Sequence, residues 1–277
     1  MRNFIAMAAL LAPFSLAQAH DPAAQATYLG NEGVMVARGE TKILFDAFYA
    51  NSYGQYALVP DEISKAMLNG DAPYDGIDAI FVSHVHGDHF TAEPAIEYMR
   101  TQQDVSLYAS VQIKDAFLEA GVNEDDPVMK RIHVYDLSPE SDPVSIKLDD
   151  ISVDVVSIPH AGNRPEIQNF AWRVTLDDET TVIHLGDAGT VTADFERHGD
   201  HFASRDHDAA FPPYWFYLND EGRSILETYI GATQTIGVHV PERAAGNGDH
   251  WRAEAGGDLF TDPGETRDLT EKPAKTD

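Results

Sequence analysis

The chain contains no cysteine. That absence excludes disulfides, a thiolate nucleophile, cysteine-ligated zinc and a cysteine for lipid attachment. Basic residues are scarce as well: 19 Lys and Arg stand against 46 Asp and Glu, a formal net charge of −27 at pH 7. The acids run through the whole sequence rather than gathering in one tail, which reads as a solvated acidic surface of a kind suited to high salt. Nucleic acids and anionic membrane surfaces need Lys and Arg to displace counterions, so partners of those kinds are not expected. Past the N-terminus no run is apolar enough to read as a membrane span.

What is present is enough for a large globular domain: 277 residues, 43% of them hydrophobic. The first residues carry one positive charge, at Arg2. A largely apolar stretch runs from Phe4 to Leu16, and Ala17-Gln18-Ala19 closes it. Charge, apolar core and small-x-small ending are the three parts of a secretory signal peptide, with cleavage expected after Ala19. The apolar run is too short to span a bilayer comfortably. The mature protein is therefore expected in the periplasm or outside the cell, with no membrane anchor and with His20 at its N-terminus. Removing residues 1–19 takes away Arg2 and no acid, which leaves a net charge near −28. Residues 20–260 read as one domain. The Gly-, Asp-, Lys-, Glu-, Thr- and Pro-rich segment Thr261–Asp277 reads as a poorly ordered acidic tail.

The chemistry concentrates in Ser83-His84-Val85-His86-Gly87-Asp88-His89. The apolar run ending at Val82 predicts a buried strand before it. Thr91-Ala92-Glu93-Pro94 predicts a capped helix start after it. Three imidazoles and a carboxylate thus fall where a strand gives way to a helix. His84 and His86, two apart, share a face of an extended backbone. Asp88 and His89 follow Gly87, where the chain can turn, and can aim at a second point. Neutral imidazole with carboxylate suits zinc, and also manganese or iron.

Three later residues repeat the design of a polar ligand at a strand end followed by a breaker. His160 follows the strand predicted over 151–158, Asp187 follows Val182–Leu185, and His239 follows Thr235–Val238. Asp46 ends the strand Ile43-Leu44-Phe45. His133 and His184 lie within predicted strands and read as packing residues. His198, His201 and His207 lie among Asp200, Asp206 and Asp208 and read as a solvated loop.

The run His84–His89 resembles the HxHxDH signature of the metallo-β-lactamase superfamily, with Ser83 where threonine is often found. Ile43–Asp46 is similar to the early strand of its lactonase-like and phospholipase D-like branch. The resemblance implies an α/β fold, a four-layer αββα sandwich, and a binuclear metal site. Carried over, it assigns His84, His86 and His160 to one cation, Asp88, His89 and His239 to the other, and Asp187 to a bridge between them. Asp46 is placed as the acceptor for a ligand imidazole N–H.

A bridging hydroxide, oriented by Asp88 and Asp187, would then attack an ester, lactone or phosphodiester of a small organic substrate. The cofactors implied are two divalent ions, zinc first, with manganese or iron as alternatives. Pocket candidates are the aromatic and polar loop residues Tyr49, Tyr53, Asn163, Arg164, Tyr214 and Trp215. Two other functions fit the same residues: a β-lactamase proper, and an exported metal-binding protein without catalysis.

Overall fold

The computed structural model describes residues 23–270; the expected signal peptide, the mature N-terminal His20 and residues 271–277 lie outside them. The first half of the chain runs β1 (Ala24–Gly30), β2 (Gly33–Arg38), β3 (Thr41–Phe45), α1 (Asp61–Asn69), β4 (Ala79–Phe81), α2 (Ala92–Thr101), β5 (Ser106–Ser110), α3 (Val111–Glu119) and β6 (Ile132–Tyr135). The second half runs β7 (Val144–Leu148), β8 (Ile151–Ser157), β9 (Phe170–Leu176), β10 (Thr180–His184), α4 (Thr192–Glu196), α5 (Gly199–Phe202), β11 (Ala209–Phe211), α6 (Asp220–Ile225), β12 (Gln234–Gly237), α7 (Gly248–Ala255), β13 (Asp258–Leu259) and β14 (Thr266–Asp268).

These strands make two seven-stranded sheets, ordered β14-β1-β2-β3-β4-β5-β6 and β13-β12-β11-β10-β9-β8-β7. Each sheet is antiparallel on one side and parallel on the other: β3 through β6 run parallel, as do β10 through β13. Alternate residues of both sheets meet in a central core. Phe45, Phe81 and Tyr28 come from one sheet, and Trp172, Phe211 and Val155 from the other. The opposite faces carry the helices. Leu44, Ile80 and Leu107 pack under α2 and α3 through Ile96, Met99 and Phe117. Ile183, Ala210 and Val156 pack under Phe195, Phe202 and Ile225. The result is the αββα sandwich, because each sheet is apolar on both faces and must be covered twice.

One expectation changes here. Residues 261–270 are not a disordered tail: β14 pairs antiparallel with β1, Gln25 opposite Asp268 and Thr27 opposite Thr266. Arg252 and Arg267 hold this segment through Glu265 and Asp258. A polar composition misled because the strand lies at a sheet edge, where its bonds are mostly backbone and its side chains form ion pairs. In the second half α6 is continued by a π-helical turn over 226–230. Among the described residues no helix is long and apolar enough to cross a membrane.

Candidate metal centre

Strands β4, β8, β10 and β12 all end at one end of the sandwich. Their C-terminal ends carry the polar residues that their apolar bodies cannot bury unpaired. Beyond β4 come Ser83, His84, His86, Asp88 and His89; β8 is followed by His160, β10 by Asp187 and β12 by His239. Gly186 makes the turn before Asp187 with φ +54°. A side chain there would lie 2.4 Å from Asn169 Oδ1 and 2.6 Å from Ser83 Cβ. Only glycine allows β10 to approach the motif loop this closely.

Two clusters of inward atoms result. In the first, His84 Nε2 lies 3.0 Å from His86 Nδ1, and His160 Nε2 lies 3.1 Å from that same Nδ1. In the second, His239 Nε2 lies 3.3 Å and His89 Nε2 3.8 Å from Asp88 Oδ2. Asp187 belongs to both. Its Oδ2 is 3.3 Å from His160 Nε2 and 3.8 Å from His84 Nε2, while its Oδ1 is 3.2 Å from His239 Nε2 and 3.3 Å from His89 Nε2.

The outer ring nitrogens explain the inward lone pairs. His89 Nδ1–H donates to Asp46 Oδ2 at 2.9 Å. His160 Nδ1–H donates to the Ala161 carbonyl at 2.6 Å. The Ser83 hydroxyl donates to Asp46 Oδ2 at 2.5 Å, so it can accept from His84 Nδ1–H at 3.0 Å. With each proton held outside, the Nε2 of His84, His89 and His160 is a lone pair pointing inward. His89 Nε2, His239 Nε2 and Asp187 Oδ1 are buried without any hydrogen-bond partner. Buried polar atoms are normally paired. Unpartnered nitrogen and oxygen atoms converging at this spacing fit divalent-metal binding and do not fit a hydrogen-bonded polar core.

The electrostatics agree. Burial drives the His84 and His86 imidazoles below the ordinary histidine value, so they favour the neutral form a ligand requires. Burial opposes charge on Asp187 and Asp88 too, but the facing histidines outweigh it and hold both carboxyls below the usual range. Burial likewise works against a charged His89, and Asp187 with Asp46 overcome it and raise that imidazole.

The pocket candidates separate. Tyr53 is exposed, and its hydroxyl accepts from the Gly87 N–H at 3.3 Å, directly over the motif. Trp215 lies 5.1 Å from the His239 ring, and its indole N–H donates to the Ala188 carbonyl. Tyr214 packs edge-on against Trp215 and Trp251. Asn163 is exposed with φ +54°. Arg164 Nη1 lies 3.2 Å from His86 Nε2. Tyr49 is a correction: it is 6% exposed and its hydroxyl donates to the Ala57 carbonyl at 2.6 Å, so it braces the loop rather than lining the opening.

The solvated reading of the distal histidines also fails for two of them. His198 and His207 are buried, and His207 Nδ1–H donates to the Ile230 carbonyl at 2.6 Å. The helix start after the motif is not capped by Thr91. Its hydroxyl instead accepts from the Ala50 N–H, tying the loop that carries Tyr53 to the site.

Several residues escaped the sequence reading. Asn169 Oδ1 accepts from the Asp187 N–H at 3.0 Å, and its amide donates to the Ile158 and Leu185 carbonyls, clamping the His160 and Asp187 turns together. Asn31 donates to the Asp88 carbonyl and accepts, through its own carbonyl, from the His239 N–H. Glu32 is fully buried with both oxygens unpartnered, 3.7 Å from His89 Nδ1. Burial, countered by His89, raises its carboxyl well above the usual range. No local pattern marks these three; a lone Asn or Glu in a turn is ordinary. Tyr56, which ends the aromatic loop that the sequence offers for the pocket from Phe48 onward, sits edge-on to His239 at 4.2 Å, with burial raising its phenol to about 12.

Residues 41–239 match the family model described as the beta-lactamase superfamily domain. No curated protein matches the chain. Solved structures with a similar fold include Igni18, a metallo hydrolase from the hyperthermophilic archaeon Ignicoccus hospitalis, with 15% identity over 88% of this chain and 97% of that one and a TM-score of 0.59. The isothiocyanate hydrolase from Delia radicum gut bacteria is 14% identical over 88% of this chain and 98% of its own, with a TM-score of 0.55. CmlA, a diiron β-hydroxylase from Streptomyces venezuelae, is 13% identical over 89% of this chain but only 54% of its own, with a TM-score of 0.55.

Proposed function

The chain belongs to the beta-lactamase superfamily, and from that premise we propose that it is an exported binuclear metal-dependent hydrolase acting on an ester, lactone or phosphodiester bond of a small organic substrate. The observation that carries this reading is the division of the Asp187 carboxylate, with one oxygen turned to each cluster of histidines. His84, His86 and His160 would hold one cation, Asp88, His89 and His239 the second, with Asp187 shared. Zinc is the first candidate, and manganese or iron suit the same donors. Cations held there supply Lewis acidity, which polarises a carbonyl or phosphoryl bond and acidifies water.

The remaining work falls to the chain. Asp88, with Oδ2 turned to the second cluster, would orient the attacking water and accept its proton at its other carboxylate oxygen. Asp46, by holding the His89 Nδ1 proton, keeps Nε2 available as a donor atom. Tyr56 and Trp215 flank the His239 ring and exclude bulk water from that side. No serine or cysteine nucleophile is required.

The test is a panel of chromogenic esters, lactones and bis(p-nitrophenyl) phosphate, together with nitrocefin, run on protein reconstituted with zinc, manganese or iron. Turnover that disappears with chelator and in His86→Ala is expected. A metallated protein that turns over none of them would sink the hydrolase reading, and turnover of nitrocefin alone would make it a β-lactamase. For export, N-terminal sequencing of periplasmic material is expected to begin at His20.

A further inference from the structure

His86 differs from its neighbours. The outward nitrogens of His84, His89 and His160 face acceptors, but the outward Nε2 of His86 faces the guanidinium of Arg164 at 3.2 Å. A guanidinium has only donors and keeps its charge, so this contact requires Nε2 to be the acceptor and Nδ1 to carry the ring proton. Yet Nδ1 is the atom that points into the first cluster, against His84 Nε2 and His160 Nε2. As a ligand, Nδ1 must be bare and Nε2 protonated, which sets two N–H donors against each other. Arg164 and a cation therefore compete for opposite tautomers of one ring.

Arg164 has nowhere else internal to go. It is exposed, on the turn after His160, and among the described residues it makes no ion pair with any carboxylate, in a chain where acids outnumber bases more than two to one. It lines a cavity of about 480 Å³ that also reaches His160 and is walled by Leu137, Pro139, Pro159, Pro165 and Ile167. Asp136 and Glu140 border that cavity too, and Arg164 is the Lys or Arg among its lining residues, so an anion there would be met by Arg164.

We propose that Arg164 is the anion-recognising residue of the substrate site, released from His86 when the first cluster is filled, and that the substrate is a small organic anion whose charged group meets Arg164 while its apolar part enters this cavity. The proposal rests on reading His84, His86 and His160 as cation ligands. It narrows the substrate class to carboxylate- or phosphate-bearing compounds, for which a guanidinium offers two parallel charge-assisted hydrogen bonds.

Binding without turnover tests it. Phenylphosphonate, methylphosphonate and phenylacetate are titrated calorimetrically into zinc-loaded wild type, Arg164→Ala and Arg164→Lys, with zinc affinity measured in parallel by chelator competition. Phenylphosphonate is expected to bind more tightly than methylphosphonate, to lose about tenfold or more in Arg164→Ala, and to be partly restored in Arg164→Lys. Phenylacetate showing the same loss would place the substrate's anion among carboxylates as well; a loss confined to the phosphonates would assign it to phosphate. Zinc affinity in Arg164→Ala is expected to equal or exceed that of wild type. Unchanged phenylphosphonate binding in Arg164→Ala, or loss of zinc from that variant, overturns the proposal, and equal affinity for the two phosphonates removes the cavity from it. These isotherms do not depend on the chromogenic panel, so the proposal and the hydrolase reading fail separately.

Discussion

Asp46 Oδ2 accepts the Nδ1 proton of His89 at 2.9 Å, with both side chains buried. Asp46 adopts φ +39°, a left-handed conformation that aspartate tolerates better than most residues. Its other oxygen accepts from the Ser83 N–H at 2.7 Å, so one carboxylate fixes both the motif backbone and the direction of a ring. Asp46→Asn keeps the shape but exchanges an acceptor for an amide. It is expected to lower affinity for the second cation by about 10–100-fold, read by chelator competition. An unchanged affinity would show that the contact does not orient His89.

The two clusters differ in what they share. His239→Ala removes a residue of the second cluster only, and metal analysis of purified protein is expected to fall from two equivalents towards one. Asp187→Asn touches both clusters and is expected to weaken both equivalents. Equal stoichiometry for the two variants would contradict a bridging Asp187.

Trp172 joins the core to the site. Its ring is fully buried against Phe81 and Phe170, and its indole N–H donates to the Val82 carbonyl, one residue before Ser83. Trp172→Phe leaves that carbonyl unpaired and is expected to cost about 1–3 kcal/mol. Trp172→Ala is expected to cost about 3–5 kcal/mol. Urea unfolding of chelator-treated protein measures both, and a Trp172→Phe loss as large as that of Trp172→Ala would assign the whole effect to the hydrogen bond.

His207 supplies a pH dependence away from the metal centre. Burial lowers its pKa, assisted by Arg173 and opposed by the Ile230 carbonyl, Asp206 and Asp208. The folded state therefore holds the ring neutral, while the unfolded chain protonates near about 6.5. Stability is expected to fall as pH drops below that value, until the folded pKa is passed. His207→Asn retains a donor for the Ile230 carbonyl without a titrating ring. Comparing urea midpoints at neutral and mildly acidic pH, wild type should lose more than the variant. Parallel losses would remove His207 as the cause.

Much of the fold was legible because its signals are local. The strands predicted over 151–158, from Val182 and from Thr235 form as β8, β10 and β12, and the apolar run before Ser83 forms as β4. β14 and α7 were missed because polar residues there are satisfied by partners distant in sequence. β14 pairs with β1 from the far end of the described chain, Gln25 opposite Asp268, a contact that no window of sequence contains. The same reason hid three other residues: Asn31 meets His239 and Glu32 meets His184 across the two sheets, while Asn169 ties the ends of β8 and β10 within its own sheet.

The sequence by itself determined the kinds of donor atom and the strand ends that carry them, since ligand chemistry follows from side-chain type and the strand-turn pattern is local. Only the tertiary structure decided that seven such residues meet as two clusters sharing Asp187. It also decided what the outward ring nitrogens of His84, His89, His160 and His86 meet, namely Ser83, Asp46, the Ala161 carbonyl and Arg164. A tautomer is set by the hydrogen bond on the far side of the ring, and that partner is supplied by packing rather than by sequence neighbours.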